Sequence, residues 1–324
     1  MKLPRRKFLH LAAGAAVLPA VSHIAWAQTY PARPMRIVVG FPPGGGADIT
    51  ARLIGQWLSE RLGQPFVIDN RPGAGSNIAT EAVVRAPPDG YSLLLVGTYN
   101  AINATLYDRL NFNFIRDIAP VASLHYVPNV MAVHPSFPAR TILEFIAYSK
   151  SNPGKVNMGS GSPGAAMHMS GELFRIMAGL DMVHVFYGVA GPVLTDLLAG
   201  QVQVSFPTMP ASIEHVRTGR LRGLAVTTAA RSDALPEIPA VGEFLPGYEG
   251  SNWFGLGVPK ATPAEIVEQL NKEVNAALDD PRMKARLADL GGTVLAGSPA
   301  DFGRLIADET EKWGKVIRAA NIKP

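Results

Sequence analysis

The run Ile37-Val38-Val39-Gly40-Phe41-Pro42-Pro43-Gly44-Gly45-Gly46-Ala47-Asp48 decides how the rest of the chain is read. Its β-branched start reads as a buried strand, Arg36–Gly40, and Ile49, Leu53, Trp57 and Leu58 follow at helical spacing. Between strand and helix, two prolines stiffen the approach. Three glycines let backbone come close to a ligand without Cβ interference, and a positive φ is expected at Gly45. Backbone N–H groups at the helix start, together with the helix dipole, favour an anion there. No lysine follows, so this is not a P-loop, whose lysine must reach the outer phosphates. Asp48 falls in the first turn, where an acid also serves as a cap.

Working outward, the same strand-then-helix order recurs. Leu93–Val96, Asn129–Val133 and Leu221–Thr227 read as strands, and Val202, Val204 and Phe206 alternate as in a half-buried one. Thr141-x-x-Glu144 is a capping box for a helix to about Lys150. Thr262-Pro263-Ala264-Glu265 offers Thr262 as N-cap with proline at the first helical position, and Ser298-Pro299-Ala300-Asp301 repeats the pattern. The order predicts an α/β architecture with mainly parallel sheets. No linker marks a boundary. Two lobes would be joined through Ser123–Pro128 and Ser251–Pro259, with residues 28–124 and 252–324 as lobe 1 and 125–251 as lobe 2.

Two further glycine stretches stand at strand–helix junctions. Asn70–Asn77 reads as a surface turn capped by Ser76 or Asn77, with Arg71 solvated. Gly159-Ser160-Gly161-Ser162-Pro163-Gly164, between a strand at Lys155–Met158 and a helix to about Ala178, matches the dinucleotide pattern G-x-G-x-x-G. An exported nucleotide-dependent oxidoreductase is therefore the rival reading. The short strand with Asn157, the mid-chain position and Pro163 weigh against it, and Ser160 and Ser162 read better as hydroxyl donors to a small anion.

Composition narrows the classes. The chain has 324 residues, 47% of them hydrophobic, enough for one large or two medium domains. Absence of cysteine excludes disulfides, a thiol nucleophile and thiolate metal sites. Lys2, Arg5, Arg6 and Lys7 account for the whole excess of 30 basic over 26 acidic residues, so no nucleic-acid partner is indicated. Residues 1–27 read as an export signal: a basic start with a twin-arginine-like Arg5-Arg6-Lys7-Phe8-Leu9, an apolar stretch to Val21, and Ala25-Trp26-Ala27 for cleavage. No cysteine follows for a lipid anchor, so a soluble periplasmic protein is expected. There is no G-x-S-x-G and no H-E-x-x-H. His168 and Glu172, four residues apart, could share a metal on one helix face, but a core-edge histidine is the simpler reading. No catalytic residue, metal or cofactor is expected.

Taken together, Phe41–Arg52 (FPPGGGADITAR), Asn70–Ala79 (NRPGAGSNIA), Pro88–Leu95 (PDGYSLLL), the Gly159–Leu173 segment, Asp196–Val202 (DLLAGQV) and Trp253–Pro259 (WFGLGVP) occur in an order that resembles the Bug family. These are periplasmic receptors of tripartite tricarboxylate transporters, and the likeness covers nearly all of residues 34–320. It implies a two-lobed periplasmic-binding-protein (Venus-flytrap) fold, type II-like, with a ligand cleft between the lobes. The implied protein is a receptor, expected as a monomer, that captures a small organic carboxylate and delivers it to membrane permease subunits. The implied ligand positions are Phe41, Pro42, Gly44, Gly45 and Asp48, then Thr98, Asn100 and Ala101. The second lobe would add Ser160, Gly161, Gly164, Ala165 and His168, with Tyr187 and Thr208 deeper in. Two departures bear on the ligand. Phe186-Tyr187-Gly188-Val189 replaces a Pro-Tyr-basic-Gly run, and Pro207 stands where an acid is often found. Without that acid a ligand ammonium lacks a partner, so non-amino mono- or dicarboxylates are expected.

Overall fold

The apolar run before the first glycine loop forms a strand buried at four of its five positions, β1 (Met35–Val39). A computed structural model describes residues 30–188 and 190–324; the export signal expected at 1–27 lies outside the described residues. From β1 the chain continues through α1 (Gly46–Leu62), β2 (Phe66–Asn70), α2 (Asn77–Val84), β3 (Ser92–Gly97), α3 (Thr98–Leu106), α4 (Phe114–Asp117) and β4 (Ile118–Val127). It then builds β5 (Val130–Val133), α5 (Ile142–Ser151), β6 (Asn157–Ser160), α6 (Ala166–Ala178), β7 (Val183–Phe186), α7 (Ala190–Leu198), β8 (Val204–Ser205), α8 (Met209–Arg217) and β9 (Arg222–Val226). Last come β10 (Asn252–Pro259), α9 (Ala264–Asp279), α10 (Pro281–Asp289), β11 (Thr293–Val294) and α11 (Pro299–Ala320).

These strands make two sheets, ordered β11-β4-β10-β3-β1-β2 and β7-β6-β8-β5-β9. The chain leaves the first sheet after Val127 and re-enters it at Asn252, and His125–Val127 pair with Asn252–Phe254 inside that sheet. The sheets are mixed rather than mainly parallel. β2-β1-β3 and β7-β6-β8 are parallel, as strand–helix–strand units require, whereas β10 is antiparallel to β3 and β4, and β5 to β8 and β9. The antiparallel strands flank the two places where the chain changes sheets. A strand carrying the chain back runs against the one that carried it out.

Local signals succeed where the partner is close in sequence. Ser298 accepts the Asp301 N–H and Asp301 accepts the Ser298 N–H, the reciprocal box expected. Thr141 accepts the Glu144 N–H at 3.2 Å, but the Glu144 carboxylate takes the Arg140 N–H instead. Thr262 does not cap α9: its N–H turns back to Pro259 O, and Pro263 becomes the N-cap. The alternation at 202–206 does not mark a half-exposed strand either. β8 lies between β6 and β5 and is buried throughout, with Ser205 Oγ donating to Gly159 O at 2.7 Å.

Buried side chains brace each sheet's unit from within. Buried Asn129, just before β5, donates to Ser170 Oγ at 2.8 Å, and its N–H reaches Thr227 Oγ1 at 2.8 Å. Trp253 on β10 and Trp313 on α11 both donate their indole N–H to Glu309 Oε2, at 3.1 and 2.8 Å, and Lys312 pairs with the other oxygen. No described helix is long and apolar enough to cross a membrane.

Candidate functional site

The first glycine loop is held from below by Asp48. One carboxylate oxygen accepts the Gly44 N–H at 2.9 Å and Arg52 Nε at 2.8 Å; the other accepts Arg52 at 3.0 Å and Asn70 Nδ2 at 3.0 Å. Burial alone would raise the Asp48 pKa, but the bonds from Arg52, Gly44 and Asn70 outweigh it and hold the carboxyl below its ordinary value. Both oxygens are thus engaged inside the protein, and Asp48 shapes the loop. Asn70 Nδ2 also donates to Phe41 O at 2.9 Å, and the Phe41 ring meets Tyr99 edge-on at 4.7 Å. The positive φ lies at Gly44 (87°). Gly45, expected to carry it, is an extended N-cap at φ −82°, because Gly44 makes the turn toward Asp48. A Cβ on Gly44 or Gly46 would meet nothing within 4 Å, and one on Gly45 only Pro42 O at 3.9 Å. The loop faces open space.

Beside it, α3 begins at the end of β3. Thr98 Oγ1 accepts the Trp253 N–H at 2.9 Å. Asn100 accepts the Gly97 N–H at 3.0 Å and donates to Thr80 Oγ1 at 2.9 Å, and Ala101 is fully buried. The side chains of Thr98 and Asn100 are therefore spent on the frame, leaving the backbone at the start of α3 as what this segment can offer a ligand.

In the second sheet, Ser160 ends β6 and its buried Oγ has no partner among the described residues. Gly161 is buried in the turn that follows, and Tyr187 N donates to Ser160 O at 3.0 Å. Gly159 lies inside β6, where a Cβ would sit 3.0 Å from both Val193 and Val202. The first glycine of the dinucleotide pattern is thus a packing position in a strand and not a phosphate turn. Gly164 has φ 74°, and a Cβ there would meet Leu106 at 2.3 Å, so this turn touches α3 of the first sheet's unit. Ala165 and Thr208 are the N-caps of α6 and α8. The Tyr187 hydroxyl donates to Asp196 at 2.7 Å, and that bond, with burial, pushes its pKa up to about 12.

His168 lies one turn into α6. Its Nδ1 accepts the Gly164 N–H at 3.0 Å, and its ring meets His184 and Phe186 edge-on at 4.4 and 5.0 Å. Burial, then His184, lowers the His168 pKa to about 4. Glu172 accepts His184 Nδ1 at 3.0 Å and Arg175 at 2.9 Å; these bonds overcome the effect of its burial and bring its pKa down to about 2. The helical spacing found His168 and Glu172, but His184 comes from β7, which no spacing rule reaches. The three donors lie within 4.8 Å of one another beside a cavity of about 330 Å³. As a metal centre they fit poorly. An Nδ1 that accepts an N–H leaves the proton of the neutral ring on Nε2, so His168 has no lone pair to give, and two ligands fall short of the usual three or four.

Among the described residues, then, the first-lobe positions gather around one loop and one helix start, and the second-lobe positions around Ser160 and the 161–165 turn. Gly164 packs against Leu106 at the far end of α3, so the 161–165 turn rests on the helix whose start holds Thr98–Ala101. Helices α1, α3, α6 and α8 all begin at these positions, and none takes a hydrogen bond from an N-cap side chain. Away from the site, α4, α5, α10 and α11 are capped by Asn113, Thr141, Asp280 and Ser298, although α2 and α9 are not. At α1, α3 and α6 this leaves backbone donors for an outside acceptor, whereas at α8 the Met209 N–H goes to Pro128 O, Pro210 has none and the Ala211 N–H goes to Thr208 O.

Residues 50–322 match the family described as the tripartite tricarboxylate transporter family receptor. The chain is 35% identical over 300 residues to the protein BugT of Bordetella pertussis, covering 92% of each. Among solved structures, an R. palustris protein with adipate is 37% identical with a TM-score of 0.82, over 91% of this chain and 99% of that one. MatC from Rhodopseudomonas palustris with bound malate is 30% identical with a TM-score of 0.78, over 89% and 100%. These likenesses, with the two sheets, give the fold as two-lobed and periplasmic-binding-protein-like.

Proposed function

Because the chain belongs to the tripartite tricarboxylate transporter family of receptors, and is a solute receptor rather than an enzyme, we propose that it captures a small organic carboxylate between its lobes and hands it to membrane permease subunits. The observation that carries the carboxylate is the set of helix starts without side-chain caps, α1 and α3 from one sheet's unit and α6 from the other, the first of them at an open glycine loop. No lysine or arginine stands among the proposed contacts, so backbone N–H groups and helix dipoles supply the positive potential. Phe41, Pro42, Gly44 and Gly45 with the start of α3 form one wall. Ser160, Gly161, Gly164 and Ala165, with Tyr187 and Thr208, form the other. The adipate and malate bound to its structural neighbours are carboxylates of this kind. Pro207 in place of an acid favours ligands without an ammonium group. The receptor works as a periplasmic monomer, with residues 28–124 and 252–324 as one lobe and 125–251 as the other.

Calorimetric titration with adipate, malate, an aromatic monocarboxylate and aspartate tests this. Saturable binding of a non-amino carboxylate, with aspartate weaker, is expected; silence with every carboxylate, or preference for aspartate, overturns it.

A further inference from the structure

Resting on that reading of the cleft, we propose that His168 is a positioning residue. It fixes the 161–165 turn by accepting the Gly164 N–H, and Glu172 and His184 brace its ring. Contact with the bound carboxylate and ligation of a metal are not its roles.

The geometry leads there in three steps. The Nδ1···N distance of 3.0 Å makes the ring an acceptor, which places its proton on Nε2. The ring cannot swing away easily. His184 and Phe186 stack nearly parallel, 12° apart, and His168 stands across both at 78° and 79°. His184 is tied to Glu172, Glu172 to Arg175, and Glu172 sits one turn beyond His168 on α6. One helix and one edge strand therefore clamp a single imidazole.

What the imidazole holds is the turn with least freedom to relax. Gly164 has a positive φ, leaves no room for a Cβ against Leu106, and directly precedes the N-cap of α6. Its orientation decides where the first N–H groups of α6 point, and it stands four residues from the Ser160 hydroxyl. The same hydrogen bond withholds the Gly164 N–H from any ligand, so recognition falls to its neighbours.

Asparagine places an amide oxygen where Nδ1 stands, whereas glutamine places its polar atoms nearer Nε2. His168→Asn is expected to keep affinity for adipate or malate within about threefold, and His168→Gln to lose about tenfold or more, the scale of one buried hydrogen bond. Amide exchange gives a readout without ligand: Gly164 N–H should be protected in the parent protein and in His168→Asn and fast in His168→Gln. An asparagine variant as weak as the glutamine one, with Gly164 still protected, would show direct contact and overturn the proposal. So would Zn²⁺ raising the melting temperature of the parent protein but not of Glu172→Gln. If the parent binds neither acid, the carboxylate reading fails, while the exchange experiment still decides the role of His168.

Discussion

Asn252 Nδ2 donates to Asn129 Oδ1 at 2.9 Å, so the two points where the chain changes sheets are bonded side chain to side chain. Both residues are buried, and Asn129 also holds Ser170 and Thr227. Asn252→Ala strands a buried carbonyl oxygen, and a loss of about 1–3 kcal/mol is expected in urea unfolding. A change below about 0.5 kcal/mol, the level of an ordinary surface substitution, would mean the joint does not depend on this bond.

Gly44 and Gly45 should part company when substituted. Gly45→Val suits an extended N-cap and meets open space, so its melting temperature should hold while carboxylate binding is lost. Gly44→Val must adopt φ 87° and should cost about 1–2 kcal/mol of stability. Normal affinity in a well-folded Gly45→Val variant would remove this loop from the site.

Asp48→Asn keeps the shape but gives up the charge that gathers Gly44, Arg52 and Asn70. Arg52 is about half exposed, so its share is screened, and a loss of about 1–2 kcal/mol is expected. Calorimetry should show weaker ligand binding alongside, because the loop loosens.

Ser160→Ala removes a buried hydroxyl that has no described partner. The ligand-free protein should lose no stability, or gain slightly, while affinity for the carboxylate falls. Unchanged affinity would leave the hydroxyl without a ligand role.

Stability should decline as pH falls through the histidine range. Burial brings the pKa values of His125 and His168 from 6.5 to about 4, so between those values the unfolded chain binds protons that the folded one refuses. The slope should approach about 1.4 kcal/mol per pH unit for each histidine. Urea midpoints between pH 6.5 and 5 check this, and a flat profile would contradict it.

How much was legible depended on how far a residue's partner lay along the chain. The Ser298 box and the strand before the first glycine loop rest on neighbours within a few residues, and both appear as read. Strand direction was not legible, because β10 pairs with β4 across more than a hundred residues. At Gly45 the pattern gave the right loop, but Asp48 reaching back to Gly44 moved the left-handed turn by one position. Ser160 was legible as a hydroxyl near the end of a strand. His168 was legible as a histidine one helical turn from Glu172, but its task was not, since the partners that give it one are a turn amide and a histidine from the next strand.

The indoles of Trp253 and Trp313 converge on one Glu309 oxygen, and they are two of four tryptophans in the whole chain. One sits on the strand by which the chain returns to its first sheet, the other on the final helix. The protein thereby carries its own optical gauge: once Trp57 is replaced by phenylalanine, emission from this pair reports whether that helix is seated on that strand, with no dye attached.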